Sequence, residues 1–491
     1  MSHPVADPDT SLDPPDWPSF RSDAHRMLDD ICDYLEQIRE RPVWKPAPRA
    51  VRDAFRDGLP HQPTALADAH RAFMERVLPY AVGNAHPRFM GWVHGGGTPV
   101  GMLAEMLAGG LNANLGGRSQ MPVHVERQVV DWMRELFGFP RDASGLFVTG
   151  TSMANFVSVL VARTAALGPS VRRQGLGWPG AALTSYLSAA AHGCLTRAME
   201  MSGLGSDAIR VIPTNDRQQM DLLALQAAIA RDRQAGLHPF FVAGTAGTVD
   251  TGAIDDLAAL GAIARRERLW FHVDGAYGAL GILAPDLAPK LAGIETADSL
   301  AFDFHKWGQV PYDAGFVLVR DGRLHQDTFA SAAAYLQRTD RGLAGDSPWP
   351  CDFGPDLSRG FRALKTWFTF TVYGADAIGR SISRTCELAR ELATRIEAEP
   401  RLELLAPVSL NIVCFRYRGR RPDLDHVNSE IVQAVQESGI AAPSTTIING
   451  HRAIRAAIVN HRTRSADIEA LAEAVLACGQ ALETDTLDAA S

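Results

Sequence analysis

Four short segments of the chain carry groups whose types and spacing could do chemistry together. Residues 299–321, SLAFDFHKWGQVPYDAGFVLVRD, set Lys306 between His305 and Trp307, after one apolar run and before another. A lysine in such surroundings loses hydration, which lowers its pKa and frees its amine as a nucleophile. About thirty residues upstream, the length of one βαβ step, RLWFHVDGAYG ends an apolar run on Asp274. An acid there can hold a protonated ring nitrogen, or merely cap the next helix. Further upstream, LFVTGTSMANFVSVLVAR passes from an apolar run through Gly150, Thr151 and Ser152 into a helical pattern. Backbone amides and hydroxyls at a helix start suit a phosphate. His192, in AAHGC, follows another apolar run and offers a flat ring for stacking.

Each of these has an ordinary explanation by itself: a surface lysine, a helix cap, a structural histidine. As one set they are the parts that pyridoxal phosphate requires. The lysine amine condenses with the cofactor aldehyde, the acid keeps the pyridine nitrogen protonated so that the ring withdraws electrons, and the histidine covers one face. On this reading Lys306 holds the aldehyde and His305 helps to hold the phosphate.

The elements that must position these groups follow from the hydrophobic pattern. ALTSYLSAA, AIRVIPTN, PFFVAGTAG, RLWFHVDG, SLAFDFH and AGFVLVRD read as short apolar strands separated by helical sequence. Continuous apolar strands of this kind predict a mainly parallel sheet covered on both faces. Ligands then gather at the carboxyl ends of the strands, where all four segments fall. Residues 18–40 place Phe20, Ala24, Met27, Leu28, Ile31, Tyr34, Leu35 and Ile38 at helical spacing, an amphipathic helix whose apolar face calls for a partner. Near the C-terminus LNIVCFRYRG, a helical stretch around 425–438 and RAIRAAIVN predict a smaller α/β domain. The expected division is 1–98, an N-terminal helical and dimerisation segment; 99–374, a large cofactor-binding domain; and 375–491, a small domain.

Composition narrows the classes. The chain has 491 residues, 46% hydrophobic and 21% charged, with a net charge of −8 and no long basic run, which argues against a nucleic-acid partner. Six scattered cysteines without CxxC or cysteine–histidine ligand spacing suggest free thiols and no metal site. The start, MSHPVADPDTSLDPPDWPSF, lacks signal-peptide organisation, and no apolar run of about 18 residues occurs. These features predict a cytoplasmic protein with no membrane span.

The sequence resembles the group II pyridoxal-phosphate-dependent amino-acid decarboxylases, which include the aromatic-L-amino-acid, glutamate and histidine decarboxylases. The resemblance rests on HPRFMGW (86–92), TGTSMAN, AAHGC, AGTAGTVDTGAID (243–255), HVDGAYG (272–278), DFHKWG, AYLQR (334–338), SRGFRALKTWFTFTVYG (358–374) and IRAAIVNHRT (454–463). It implies an α/β fold of the aspartate-aminotransferase type, fold type I, and a homodimer with its active sites at the subunit interface. It also implies that Thr248 lies near the cofactor, with Ala276 beside Asp274, and that Asp303 lies near the phosphate or the Lys306 amine.

Reaction type and substrate turn on further positions. Tyr335 lies in AAAYLQRTDRGLAGD, where the resembled decarboxylases carry a tyrosine on a mobile loop that protonates the carbon freed of its carboxylate. Relatives that form an aldehyde tend to carry phenylalanine there, or asparagine at the stacking-histidine position. Tyr335 and His192 therefore favour decarboxylation of an amino acid to its amine. One wall of the substrate pocket is expected at Trp92, Val93 and His94, and a wall from the other subunit at Asn114 and Gly116, near Arg118. An aromatic substrate is the leading expectation, although Asn114 and Gly116 make that second wall more open and polar than the bulky apolar one of the aromatic enzymes. A pyridoxal enzyme of another reaction type, a decarboxylase of a non-aromatic amino acid and a catalytically silent interaction protein are the alternatives.

Overall fold

The computed structural model describes residues 11–177, 180, 182–331 and 339–489, excepting the side chains of 485–489. Two sheets organise it. The larger joins β2 (Ser144–Val148), β3 (Leu183–Ser188), β4 (Ile209–Ile212), β5 (His238–Thr245), β6 (Trp270–Asp274), β7 (Ser299–Asp303) and β8 (Gly315–Val319) in the order β2-β8-β7-β6-β5-β3-β4. Neighbours from β7 through β4 pair in parallel, while β8 runs antiparallel to both β7 and β2. The six strands anticipated from their apolar runs are all in this sheet. Residues of β7 and β8 are buried at every position, as expected of strands covered on both faces.

The smaller sheet has the order β1-β11-β12-β10-β9, built from β1 (Phe89–Met90), β9 (Leu402–Leu404), β10 (Ile412–Tyr417), β11 (Ala442–Ile448) and β12 (His451–Ala457). Its edge strand comes from far upstream, since Phe89 and Met90 pair in parallel with Ala442 and Pro443. The chain then runs from β1 straight to the large sheet's ligand edge. There the Gly95 amide donates to the His305 carbonyl at 3.1 Å. A β-carbon on Gly95 would stand 2.4 Å from the Lys306 carbonyl oxygen, so only glycine allows this approach.

The helix Trp17–Glu36 begins at the Asp16 cap and buries none of its residues within the chain. Among the described residues no helix is long and apolar enough to cross a membrane.

Candidate active site

Five parallel strands, β2, β3, β5, β6 and β7, end on the same edge of the large sheet, and the turns that follow them line one cavity of about 360 Å³. Its walls include Gly150, Thr151 and Ser152 after β2, His192 and Cys194 after β3, Thr245 at the end of β5, Asp274 and Ala276 at β6, and Asp303, His305 and Lys306 at β7. Residues far apart in sequence meet because parallel strands deliver all their carboxyl ends to one side.

The lysine turn is fixed on both sides by packing. Phe304 joins Phe147, Phe302 and Phe316 in a block of rings with centroids 5.0–5.5 Å apart. Trp307 is wholly buried, edge-on to Tyr277 at 5.1 Å, and its indole donates to Thr385 Oγ1 at 3.2 Å. Between these anchors Lys306 reaches into the cavity, its Nζ 3.0 Å from Asp303 Oδ2. Burial pushes the lysine pKa down, but the Asp303 carboxylate, by charge and hydrogen bond and aided by Asp274, outweighs it and the net direction is up. This corrects the sequence expectation of a lowered lysine: the desolvating surroundings are present, but an acid three residues away keeps the amine cationic.

Asp303 also reaches a helix start. Its Oδ1 accepts the Thr151 amide at 2.7 Å, so one carboxylate ties the lysine to the start of the helix Thr151–Leu167. His305 accepts the Ala314 amide on Nδ1 at 3.0 Å, which leaves Nε2 to carry the proton, 3.5 Å from Asp303 Oδ2. Burial lowers its pKa, so the ring is a neutral donor.

At the other end Asp274 is 2% exposed, with Oδ1 accepting the Ala276 amide at 3.1 Å and Oδ2 accepting Asn155 Nδ2 at 3.0 Å. The Cys194 thiol lies 3.8 Å from the same Oδ2, and burial followed by the Asp274 charge pushes its pKa up to about 12, so it stays protonated. His192 caps the helix Gly193–Met201, its Nδ1 accepting the Cys194 amide at 3.2 Å, which leaves the ring at the cavity mouth.

Trp92, Val93 and His94 line the opposite wall, with Tyr312. His94 Nδ1 pairs with Asn84 Oδ1 at 3.0 Å; burial and the Lys306 charge lower its pKa to about 4. Tyr312 lies 4.2 Å from the His305 ring and edge-on to His94 at 5.6 Å. Sequence reasoning passed over Tyr312, which sits in irregular chain, and Thr245, although Thr245 ends a strand and the strand-end rule points to it.

Thr248 does not line the cavity; its hydroxyl meets Thr251 Oγ1 at 3.0 Å and accepts the Ala253 amide at 3.1 Å, in a loop that folds back on β5. Asn114 and Gly116, expected on the wall that the other subunit supplies, are held within their own chain: Asn114 Oδ1 accepts the Gly116 and Arg359 amides at 2.8 and 2.9 Å, and a β-carbon on Gly116 would stand 1.9 Å from the Leu357 carbonyl oxygen. Tyr335 lies outside the described residues.

The cavity can be tested for pyridoxal phosphate on its own chemistry. The Thr151 and Thr245 hydroxyls are buried without a hydrogen-bond partner among the described residues, which marks them as donors awaiting a polar ligand. The helix start beside Thr151, the neutral His305 and the exposed Ser152 suit a phosphate. Asp274 and Lys306 stand where a ring nitrogen and an aldehyde would be needed. The residues fit the group.

A model of the pyridoxal-dependent decarboxylase conserved domain matches residues 48–418. The chain belongs to the pyridoxal-dependent decarboxylase family. It is 31% identical over 472 residues to the aromatic-L-amino-acid decarboxylase of Bacillus atrophaeus, covering 93% of this chain and 96% of that one. It is 29% identical to phenylacetaldehyde synthase of Arabidopsis thaliana, over 91% and 93% of the two chains. Among solved structures, Oryza sativa TDC with PLP and tryptamine superposes with a TM-score of 0.88 at 24% identity, covering 96% of this chain and all of that one. The glutamate decarboxylase domain of a Vibrio parahaemolyticus protein gives 0.84 at 27% identity, over 94% and 95%. The fold is thus fold type I, and the enzyme is a carboxy-lyase that uses pyridoxal phosphate to decarboxylate an amino acid.

Proposed function

We propose that this decarboxylase converts an L-amino acid with an aromatic side chain to the corresponding amine. The observation that carries the substrate class is the ring-lined wall facing Lys306, where Trp92, His94 and Tyr312 stand with neighbouring centroids 5.6–5.9 Å apart. The names of relatives support it, since they include aromatic-L-amino-acid and tryptophan decarboxylases.

Bound pyridoxal phosphate supplies the electron sink for the pair left when the carboxylate departs. Lys306 would hold the cofactor through its amine, with Asp303 setting the charge on its Nζ. Asp274 holds the ring nitrogen's proton. Thr151, Ser152 and His305 bind the phosphate, and His192 covers the ring face. Tyr335 returns a proton to the α-carbon.

The working unit is a cytoplasmic homodimer. Leu103, Met106, Leu107 and Leu111 on the helix Pro99–Leu111, with Trp17 and Phe20 near the N-terminus, are exposed in the single chain and read as a surface that a second copy covers.

The test is a screen of L-amino acids with the purified enzyme, following carbon dioxide and amine together, with Lys306→Ala as control. Tryptophan, tyrosine, phenylalanine or 3,4-dihydroxyphenylalanine should give both products in equal amounts. Turnover confined to glutamate, histidine or 2,4-diaminobutyrate would overturn the substrate class and leave the family chemistry standing.

A further inference from the structure

Behind Asp274 a line of polar side chains runs through the core. Asn155 and His272 are wholly buried, as is Ser299, and Trp270 at the far end is half-buried. The contacts are Asn155 Nδ2 to Asp274 Oδ2 at 3.0 Å, His272 Nε2 to Asn155 Oδ1 at 2.8 Å, Ser299 Oγ to His272 Nδ1 at 2.8 Å and Trp270 Nε1 to Ser299 Oγ at 2.8 Å. Three of the four residues sit on β6 and β7, and Asn155 enters from the helix Thr151–Leu167 that packs over them.

The direction of every bond follows from the chemistry of the two ends. An ionised carboxylate only accepts, so Asn155 turns its NH₂ toward Asp274 and its carbonyl toward His272. His272 must then carry its proton on Nε2. Burial holds its pKa down to about 3, so it has one ring proton and Nδ1 is an acceptor. Ser299 therefore donates to Nδ1, and its oxygen accepts from the Trp270 indole, which can only donate. No group in the line is asked to donate where it has no hydrogen. Phe241, stacked on His272 at 5.6 Å, fixes the plane of the ring.

We infer that Asn155, oriented by His272, Ser299 and Trp270, is a positioning residue that keeps the Asp274 carboxylate aimed at the cofactor's ring nitrogen. With the Ala276 amide on Oδ1 and the Asn155 amide on Oδ2, the carboxylate cannot rotate. Removing Asn155 takes one of these hydrogen bonds away, so the carboxylate is free to turn and grips a protonated ring nitrogen less. The inference rests on the assignment of Asp274 to that nitrogen.

The experiment compares the affinity of the apoenzyme for pyridoxal phosphate with its affinity for the analogue that has carbon in place of the ring nitrogen, read by quenching of tryptophan fluorescence. Wild type should prefer the natural cofactor. Asn155→Ala and His272→Leu should reduce that preference about tenfold, the weight of one charge-assisted hydrogen bond. His272→Gln, which can still offer an N–H to Asn155, should restore most of it. Affinity for the carbon analogue should stay near wild type in every folded variant, which a general loss of structure would not allow. Trp270→Phe, at the half-buried end, tests the same link should a core variant not fold, and should lower the preference by a smaller factor. Variants that keep the wild-type preference overturn the inference and leave Asp274 in place. A wild type that binds both compounds equally overturns the assignment of Asp274 itself.

Discussion

Lys306 Nζ stands 3.0 Å from Oδ2 of Asp303, whose other oxygen accepts the Thr151 amide at 2.7 Å. The carboxylate is 2% exposed, so its charge acts on the lysine with little screening by solvent. Its consequence is a lysine whose pKa is raised although burial works in the other direction.

The first prediction concerns that pair. Capture of the cofactor aldehyde needs a neutral amine, so the rate of capture by the apoenzyme should rise with pH as Lys306 loses its proton. The ion pair stabilises the fold below the ordinary lysine pKa, and that contribution is lost as pH rises through the raised value. Asp303→Asn removes the leading cause of the upward shift. The variant's capture rate, followed by the growth of the bound cofactor's visible absorbance, should reach its half-maximum at lower pH than wild type. An unmoved or rising midpoint would mean that Asp303 does not set the charge on Lys306.

Lys306 and Asp274 were legible in the sequence because each ends or follows an apolar strand, and parallel strands convert that local fact into a shared location; Asp303 came from the family resemblance. Thr248 was expected near the cofactor from the family resemblance and not from this rule. The chain after β5 turns back, with the Thr248 amide donating to the Ala253 carbonyl at 2.8 Å, so the hydroxyl of Thr245 faces the cavity and that of Thr248 does not. Asn155 and His272 were invisible as site residues because an asparagine in an apolar helix and a histidine in an apolar strand carry no periodic signal. Strand β11 was missed although Asn449 and Gly450, both with positive φ, form the tight turn that Asn-Gly favours before β12. Its own sequence, Ala442 to Ile448, opens with proline near the start and alternates weakly.

A second prediction follows from Arg359, which sits in the segment 358–374 that marks the family resemblance. Its guanidinium is 4% exposed and pairs with the buried Glu126, at 2.6 and 3.1 Å, while also donating to the Leu115 and Phe147 carbonyls. Arg359→Met strands Glu126 as an uncompensated buried charge and should cost about 3–5 kcal/mol of stability. Adding Glu126→Leu should recover most of the loss in urea unfolding monitored by circular dichroism. A double variant no more stable than the single would show that the carbonyl contacts, and not the charge pair, hold this region.

The third prediction tests assembly. The helix Trp17–Glu36 buries no residue within one chain, and Trp17, Phe20 and Met27 are 52%, 38% and 38% exposed. On the homodimer proposed above, a second copy covers these apolar side chains. Removal of residues 1–45 should yield monomers or aggregates with little activity, as measured by light scattering on a sizing column. A dimeric and fully active truncation would place the interface elsewhere.

The last prediction decides between two reactions that relatives of this chain are named for, amine formation and aldehyde synthesis. Both begin with loss of carbon dioxide, and they diverge at what next meets the α-carbon. A phenol held over that carbon delivers a proton quickly, whereas an apolar side chain leaves the electron-rich carbon open to oxygen. General acids of this kind contribute about 10² to 10⁴ in rate. Tyr335 is the candidate that the family resemblance names. Tyr335→Phe should keep carbon dioxide release, slow amine formation by about that factor and raise aldehyde, ammonia and hydrogen peroxide together in equal amounts. The balance is fixed by chemistry: the carbon protonated in wild type is instead oxidised by dioxygen, which is reduced to peroxide, and hydrolysis releases ammonia. If the phenylalanine variant makes amine alone, at the wild-type rate, Tyr335 is not the donor and the proton must come from His192.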